Sequence, residues 1–280
     1  MAQANTVRLP HGREIPALGL GTWHMGENRS SRAAEVAALK ASIDLGLTVI
    51  DTAEMYANGG AEDVVAEAIA GQRDKVFLVS KVLPTNSSPK GVIAACENSL
   101  RRLKTDRIDL YLLHWRGSHP LANTVIGFER LKSEGKIADW GVSNFDTDDM
   151  AELKQVANGD HCAANQVLYH LGERGIEWQL LPQSQRDHIP IMAYTPLGGT
   201  GLLTHATLAR LARKHAVAPS AIALAFLLSK PGVMAIPKSA RVERVAEFAK
   251  ARDVRLDAED LTILDREFPP PKRKTALAIG

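Results

Sequence analysis

The stretch Val76-Phe77-Leu78-Val79-Ser80-Lys81 is a largely apolar run closed by a single cation, and the same design recurs along the chain. Upstream, Thr48-Val49-Ile50 closes on Asp51; downstream, Ile108 to Leu113 closes on His114. Runs this continuous suit strands of a parallel sheet, where helices cover both faces. Others follow at Ala138 to Val142, Ala164 to Leu168, Ile189 to Ala193 and Val233 to Ile236, and Leu18-Gly19-Leu20-Gly21 precedes them. Helical patterns lie between. Val36, Leu39 and Ile43 share one face and stop at Gly46; Val125, Phe128 and Leu131 stop at Gly135. Ahead of them all, Val7-Arg8-Leu9 and Glu14-Ile15-Pro16 flank His11-Gly12, a hairpin signature. Strand and helix alternating eight times predict an α/β fold, a (β/α)8 TIM barrel with an N-terminal β-hairpin. A doubly wound sheet is the alternative that the pattern alone leaves open. The 280 residues suit one barrel, and no linker divides them, so a single domain over 1–280 is expected.

Bulk properties narrow the class of function. Hydrophobic residues make up 45% and charged residues 24%, the mix of a soluble globular protein with a proper core. With 34 basic and 32 acidic residues the net charge is +2, so nothing electrostatic calls for nucleic acid or an anionic membrane as partner. The longest apolar run, Ala221 to Leu228, falls far short of the ~18 residues that suggest a membrane span. The opening Met1-Ala2-Gln3-Ala4-Asn5-Thr6 has no charged-then-apolar signal pattern. Cys96 and Cys162 do not make a disulfide framework, in keeping with a reducing compartment. A cytoplasmic monomer acting on a small molecule is the expectation. His114, His119, His161 and Cys162 lack zinc-ligand spacing, so no metal is expected. Gly19-Leu20-Gly21-Thr22-Trp23-His24 nearly makes a dinucleotide fingerprint, but His24 occupies the third glycine position. Pro269-Pro270-Pro271-Lys272-Arg273-Lys274 reads as a solvated arm, because one short charge run does not make a basic face.

The ionisable residues at strand ends carry the chemistry. In a barrel the C-terminal ends converge on one mouth, where active sites form. Asp51, Lys81 and His114 each close an apolar run, and Tyr56 follows Asp51 by five residues. Any one of them alone is more often a cap, an ion-pair partner or a satisfied core residue. Converging, they make a coherent set for reducing a carbonyl, which needs hydride at carbon and a proton at oxygen. A phenol, with a usual pKa of about 10, is too weak an acid near neutrality. A neighbouring ammonium, Lys81, would lower that pKa, with Asp51 holding the lysine and His114 fixing the carbonyl oxygen.

Over essentially its whole length the chain resembles the aldo-keto reductase superfamily. Gly19-Leu20-Gly21-Thr22-Trp23, Asp51-Thr52-Ala53-Glu54-Met55-Tyr56, Lys81 and His114-Trp115 match family segments in order. Gly141-Val142-Ser143-Asn144-Phe145, Asn165-Gln166-Val167, Ala193-Tyr194-Thr195-Pro196-Leu197-Gly198 and Ile236-Pro237-Lys238-Ser239 match as well. The details are most similar to the bacterial methylglyoxal-reductase branch, as in Tyr56-Ala57-Asn58-Gly59-Gly60-Ala61-Glu62 and the tail Pro271 to Leu277.

The resemblance implies NADPH as cofactor and catalysis by Asp51, Tyr56, Lys81 and His114. By position, Ser143, Asn144 and Gln166 would hold the nicotinamide carboxamide, Tyr194 would stack on the ring, and Thr22, Thr195 and Leu197 would border the cofactor. Lys238, Ser239 and Arg244 would meet the 2′-phosphate; two cations and a hydroxyl at a helix start suit a dianion. Phe248 stands where the family commonly has an adenine-binding Asn. It would stack on the adenine or, at the spacing of Val242 and Val245, serve as core, and the core reading fits better. Trp23 and Trp115 would line an apolar substrate slot. The segment Arg116 to Pro120 and the tail from Pro269 are short, which points to small aldehydes and ketones such as methylglyoxal, other 2-oxoaldehydes and aromatic aldehydes. Two other functions fit the same resemblance: a dehydrogenase of sugars or alcohols, and a cofactor-binding redox sensor.

Overall fold

The apolar runs pair in chain order, each strand beside the next, and the last returns to the first. In the computed structural model, which describes residues 6–199 and 201–280, a hairpin of β1 (Thr6–Arg8) and β2 (Glu14–Pro16) comes first. Eight parallel strands follow: β3 (Leu20–Gly21), β4 (Val49–Asp51), β5 (Phe77–Val82), β6 (Ile108–Leu113), β7 (Ile137–Ser143), β8 (Asn165–Leu168), β9 (Ile191–Tyr194) and β10 (Val233–Ala235). The ring closes between β10 and the first strand. Leu18 bridges Ala235 in parallel, and Gly19 N–H donates to the Ala235 carbonyl at 2.9 Å. Gly21 N–H donates to the Pro237 carbonyl, also at 2.9 Å. A doubly wound sheet would keep two free edges, so closure decides for the barrel. Strand limits differ from the sequence reading by one or two residues, as strand ends do where pairing frays.

The helices pack outside: α1 (Arg32–Asp44), α2 (Gly60–Ile69), α3 (Pro89–Leu103), α4 (Leu121–Ser133), α5 (Thr147–Lys154), α6 (Leu180–Asp187), α7 (Ala206–Lys214), α8 (Pro219–Leu228), α9 (Val242–Ala249) and α10 (Ala258–Glu267). Local chemistry starts several of them. Ser88 caps α3 by accepting from Gly91 N–H, with Pro89 at the first helical position, and Asp146 and Asp257 form capping boxes on α5 and α10. The predicted faces hold, since Val36, Leu39, Ile43, Val125, Phe128 and Leu131 are all buried. The apolar run read at 221–228 is the body of α8, buried on all sides from Ser220 to Leu228. No single helix among the described residues is long and apolar enough to cross a membrane. Residues 1–5, read above for a signal pattern, lie outside the described residues.

The hairpin covers the N-terminal end of the barrel. Val7, Leu9 and Ile15 are buried there, and Arg13 Nη1 donates to Asp109 Oδ1 of β6 at 2.9 Å. That leaves the C-terminal mouth as the face where a ligand can enter.

Candidate active site

The strands from β4 to β9 each bring a polar side chain to the mouth, on the strand or directly after it. Asp51 is the last residue of β4, Ser143 of β7 and Tyr194 of β9; Lys81 lies one short of the end of β5, and His114 follows β6 directly. Tyr56 sits on the turn after β4 and folds back over Lys81. Lys81 Nζ donates to Asp51 Oδ2 at 2.7 Å, to the Thr52 carbonyl at 2.9 Å and to the Tyr56 hydroxyl oxygen at 3.1 Å. Lys81 is completely buried and Asp51 and Tyr56 nearly so. Asp51 spends its second oxygen on Gln166, whose Nε2 donates to Oδ1 at 2.8 Å. Asp51, Tyr56 and Lys81, predicted from two separate segments, are therefore one hydrogen-bonded group, and the His114 ring lies beside it, its centroid 5.7 Å from that of Tyr56.

Its electrostatics depart from the sequence reading in one respect. Burial raises the Tyr56 phenol above its usual pKa; Lys81 lowers it, Asp51 raises it, and the net shift is upward. The net depression expected from Lys81 alone is thus corrected, because the same burial that brings the lysine close also disfavours the phenolate. Lys81 itself is pulled down by burial, but the Asp51 and Tyr56 oxygens more than compensate, so its ammonium is held charged. Burial first, and the Lys81 charge second, push His114 down to about 3, so its imidazole is neutral at working pH. His114 Nδ1 is buried with no hydrogen-bond partner among the described residues, while the ring borders the cleft. A proton on Nδ1 would be a stranded donor. The favoured tautomer carries it on Nε2, toward the cleft.

Beside this group the second predicted set lines the same cleft. Ser143 Oγ donates to the Gln166 carbonyl at 2.9 Å, and Asn144 Nδ2 donates to the His114 carbonyl at 3.1 Å. The Tyr194 hydroxyl donates to Asn144 Oδ1 at 2.9 Å. Two residues here have left-handed backbones, Asn144 at φ 59° and Thr195 at φ 50°. The second is a costly conformation for a β-branched residue and aims the chain after β9 along the cleft wall. The cleft measures about 360 Å³, and its lining includes Trp23, Met55, Tyr56, His114 and Trp115 together with Tyr194, Thr195, Leu197 and Lys238. Trp23 sets its edge against the Tyr56 ring with centroids 4.8 Å apart, and remains 47% exposed, as a wall residue rather than core.

Some predicted residues stand off the cleft wall. Thr22 is fully buried, and its hydroxyl is committed to the Asp51 carbonyl at 2.9 Å. It braces the end of β4 and does not border the cleft. Ser239 is buried and accepts from Arg241 N–H at 3.0 Å, while Arg244 is exposed in the first turn of α9, beyond Lys238. Phe248 is buried beside Val245, which upholds the core reading over stacking on a ligand.

The tail is the main feature that sequence reasoning missed. Lys272 and Arg273 are exposed, as a solvated arm requires. Lys274 Nζ, however, donates to Thr147 Oγ1 at 2.9 Å, Leu277 packs on the core, and Gly280 N–H donates to the Tyr194 hydroxyl at 3.1 Å. Gly280 thereby joins the cleft wall. Pro196, Gly198 and Pro237 join it too, and were visible in the sequence only as parts of larger motifs.

Comparison with known proteins agrees with this fold. Residues 17–267 match the profile of the Aldo/keto reductase family. The chain is 54% identical over 268 residues to methylglyoxal reductase YeaE of Escherichia coli (strain K12), covering 94% of each protein. It is 34% identical over 261 residues to the glyoxal reductase of Bacillus subtilis (strain 168), covering 93% of this chain and 92% of that one. Its structure superposes with a TM-score of 0.97 on an aldo/keto reductase of Klebsiella pneumoniae crystallised with NADP and acetate, at 53% identity and 99% coverage of both chains.

Proposed function

The chain belongs to the aldo/keto reductase family, and from that membership we propose that it is an NADPH-dependent reductase of small aldehydes and ketones with Tyr56 as its general acid. The observation that carries the reading is the hydrogen-bonded series from Asp51 through Lys81 to Tyr56, opening on the cleft beside a neutral His114. The protein's donor set fits the cofactor: an aromatic ring at the end of β9, hydroxyl and amide groups at Ser143, Asn144 and Gln166, and cations at Lys238 and Arg244. Those residues would hold NADPH, with Thr195 and Leu197 along the wall. Bound there, NADPH supplies the hydride that the carbonyl carbon receives.

The remaining work falls to side chains of the protein. Nε2–H of His114 points at the carbonyl oxygen and orients it. The Tyr56 hydroxyl donates its proton to that oxygen as negative charge builds on it. The Lys81 ammonium, 3.1 Å from the phenol oxygen, stabilises the phenolate left behind, and Asp51 keeps the lysine in place. An intact proton-donating group favours turnover over the redox-sensor reading. A cytoplasmic monomer formed by one barrel domain over 1–280 is part of the same proposal.

Trp23, Met55 and Trp115 give the cleft an apolar lining beside Tyr56 and His114. Methylglyoxal, other 2-oxoaldehydes and activated aromatic aldehydes are therefore the expected substrates, since an electron-withdrawing neighbour eases charge build-up on oxygen. Steroids and hexoses are expected to turn over poorly. NADPH consumption measured as kcat/KM across such a panel checks this. Glucose or a steroid ketone outperforming methylglyoxal would overturn the small-substrate reading.

Cofactor choice gives a second expected result. The double variant Lys238→Met, Arg244→Ala is expected to weaken NADPH binding tens-fold or more, because each charged hydrogen bond to phosphate contributes about 1.5–3 kcal/mol. NADH binding should barely move. Equal loss for both cofactors in fluorescence titrations would mean that these residues support the fold instead.

A further inference from the structure

Tyr56 stands on a turn that an L-residue backbone disfavours. Ala57, Asn58 and Gly59 are left-handed in succession, at φ 49°, 52° and 90°. Such a run persists only where its surroundings over-determine it. On one side Gly60 meets Gly26 backbone to backbone; a Cβ on Gly26 would lie 2.4 Å from the Gly60 carbonyl carbon. On the other side the Arg102 side chain of α3 lies against Gly59, where a Cβ would come 2.5 Å from Arg102 Cδ and Nε.

Arg102 is itself held. Its Nε donates to Glu62 Oε2 at 2.6 Å. The other carboxylate oxygen, Glu62 Oε1, accepts the Ser80 hydroxyl, also at 2.6 Å. Glu62 is the third residue of α2, the helix that leaves the Tyr56 turn, and Ser80 immediately precedes Lys81 on β5. Strand alternation sends Ser80 to the helix layer and Lys81 into the barrel. Glu62 and Ser80 are both fully buried. One carboxylate thus ties together the turn that carries Tyr56, the strand that carries Lys81 and the helix that packs under Gly59.

We propose that the Glu62–Arg102 ion pair, anchored to β5 through Ser80, is a positioning device that holds the Tyr56 hydroxyl at hydrogen-bonding distance from Lys81. With Glu62 fully buried and Arg102 half-buried, much of the pair's attraction is spent on desolvating the carboxylate, so it is a poor source of net stability. Its directional bonds set the register between elements, which apolar packing does loosely. The proposal rests on the reading of Tyr56 as the general acid.

Glu62→Gln keeps the shape of the side chain but faces Arg102 without the charge. It is expected to lower kcat roughly ten- to hundredfold, the scale of a misplaced catalytic group. NADPH affinity in fluorescence titration should stay unchanged. Lys81 on β5, Asp51 on β4, His114 after β6 and Tyr194 on β9 face the phenol, and none of them is altered. With Lys81 farther away the phenol becomes a weaker acid, so the alkaline limb of kcat should move to higher pH. Ser80→Ala and Arg102→Lys each disturb one arm and should give a smaller loss with the same signature; they carry the test if Glu62→Gln does not fold. The double variant Glu62→Leu, Arg102→Met should regain melting temperature without regaining kcat. Wild-type kcat with an unshifted limb in Glu62→Gln overturns the proposal, or in both single-arm variants if Glu62→Gln does not fold. So does recovery of kcat in the apolar pair. If Tyr56→Phe stays active, the acid reading has failed; if only Glu62→Gln is normal, the positioning role alone has failed.

Discussion

Replacing Tyr56 with phenylalanine is expected to lower kcat for carbonyl reduction by roughly 10²–10⁴-fold, the contribution of a positioned general acid. The substitution removes one oxygen. The ring keeps its edge contact with Trp23, at 4.8 Å between centroids, and Lys81 keeps Asp51 and the Thr52 carbonyl as partners. Fold and NADPH affinity should therefore be preserved, and the loss should fall on kcat. The pH profile adds an independent check. A general acid works while protonated, so reduction proceeds below the phenol's pKa and fails as pH rises through it. Burial sets that pKa above its usual value. Wild-type kcat should accordingly stay level through neutral pH and decline only in the alkaline range, and the variant should lose that limb. A phenylalanine variant keeping more than about a hundredth of wild-type kcat would show that another group donates the proton.

Lys81→Met is expected to be nearly as damaging to turnover, by roughly 10²-fold or more, and more damaging to the fold. The phenolate would form without its stabilising cation. Asp51 would remain buried with Gln166 Nε2, at 2.8 Å, as its one side-chain partner. Breaking a buried ion pair from one side costs about 3–5 kcal/mol, because the surviving charge has lost its compensation. Removing both charges, as in Asp51→Asn with Lys81→Met, should restore much of the melting temperature and none of the activity. If turnover returned along with stability, Lys81 would be a structural residue and the phenol would not depend on it.

The chemistry of the mouth was legible in the sequence because each key residue follows a distinctive local pattern. Asp51, Lys81 and His114 each close an apolar run at a strand end, and in a parallel barrel that position alone sends them to one face. Alternating strands and helices fixed the order of elements, and turn residues such as Gly46 and Gly135, both at positive φ, marked helix ends. What was not legible depends on which distant groups come into contact. Thr22 sits in a family motif, yet its hydroxyl is used up by the Asp51 carbonyl. The tail reads as a solvated arm, yet Lys274 and Gly280 tie it to Thr147 and Tyr194. Nothing local to Glu62, Ser80 or Arg102 shows that they meet.

By itself, then, the sequence determined the alternation of strands and helices, the hairpin, the polar residues at strand ends and the class of chemistry they serve, because these follow from hydrophobic period and from residue type. Closure into a barrel rather than a doubly wound sheet was decided by the pairing of Leu18 with Ala235. The tertiary structure alone decided the balance of forces at those residues. The Tyr56 pKa rises because burial outweighs Lys81, and His114 is neutral because the same burial and the same cation act in one direction. Period and residue type are local properties of a chain; desolvation and charge pairing depend on what folding brings within a few ångströms.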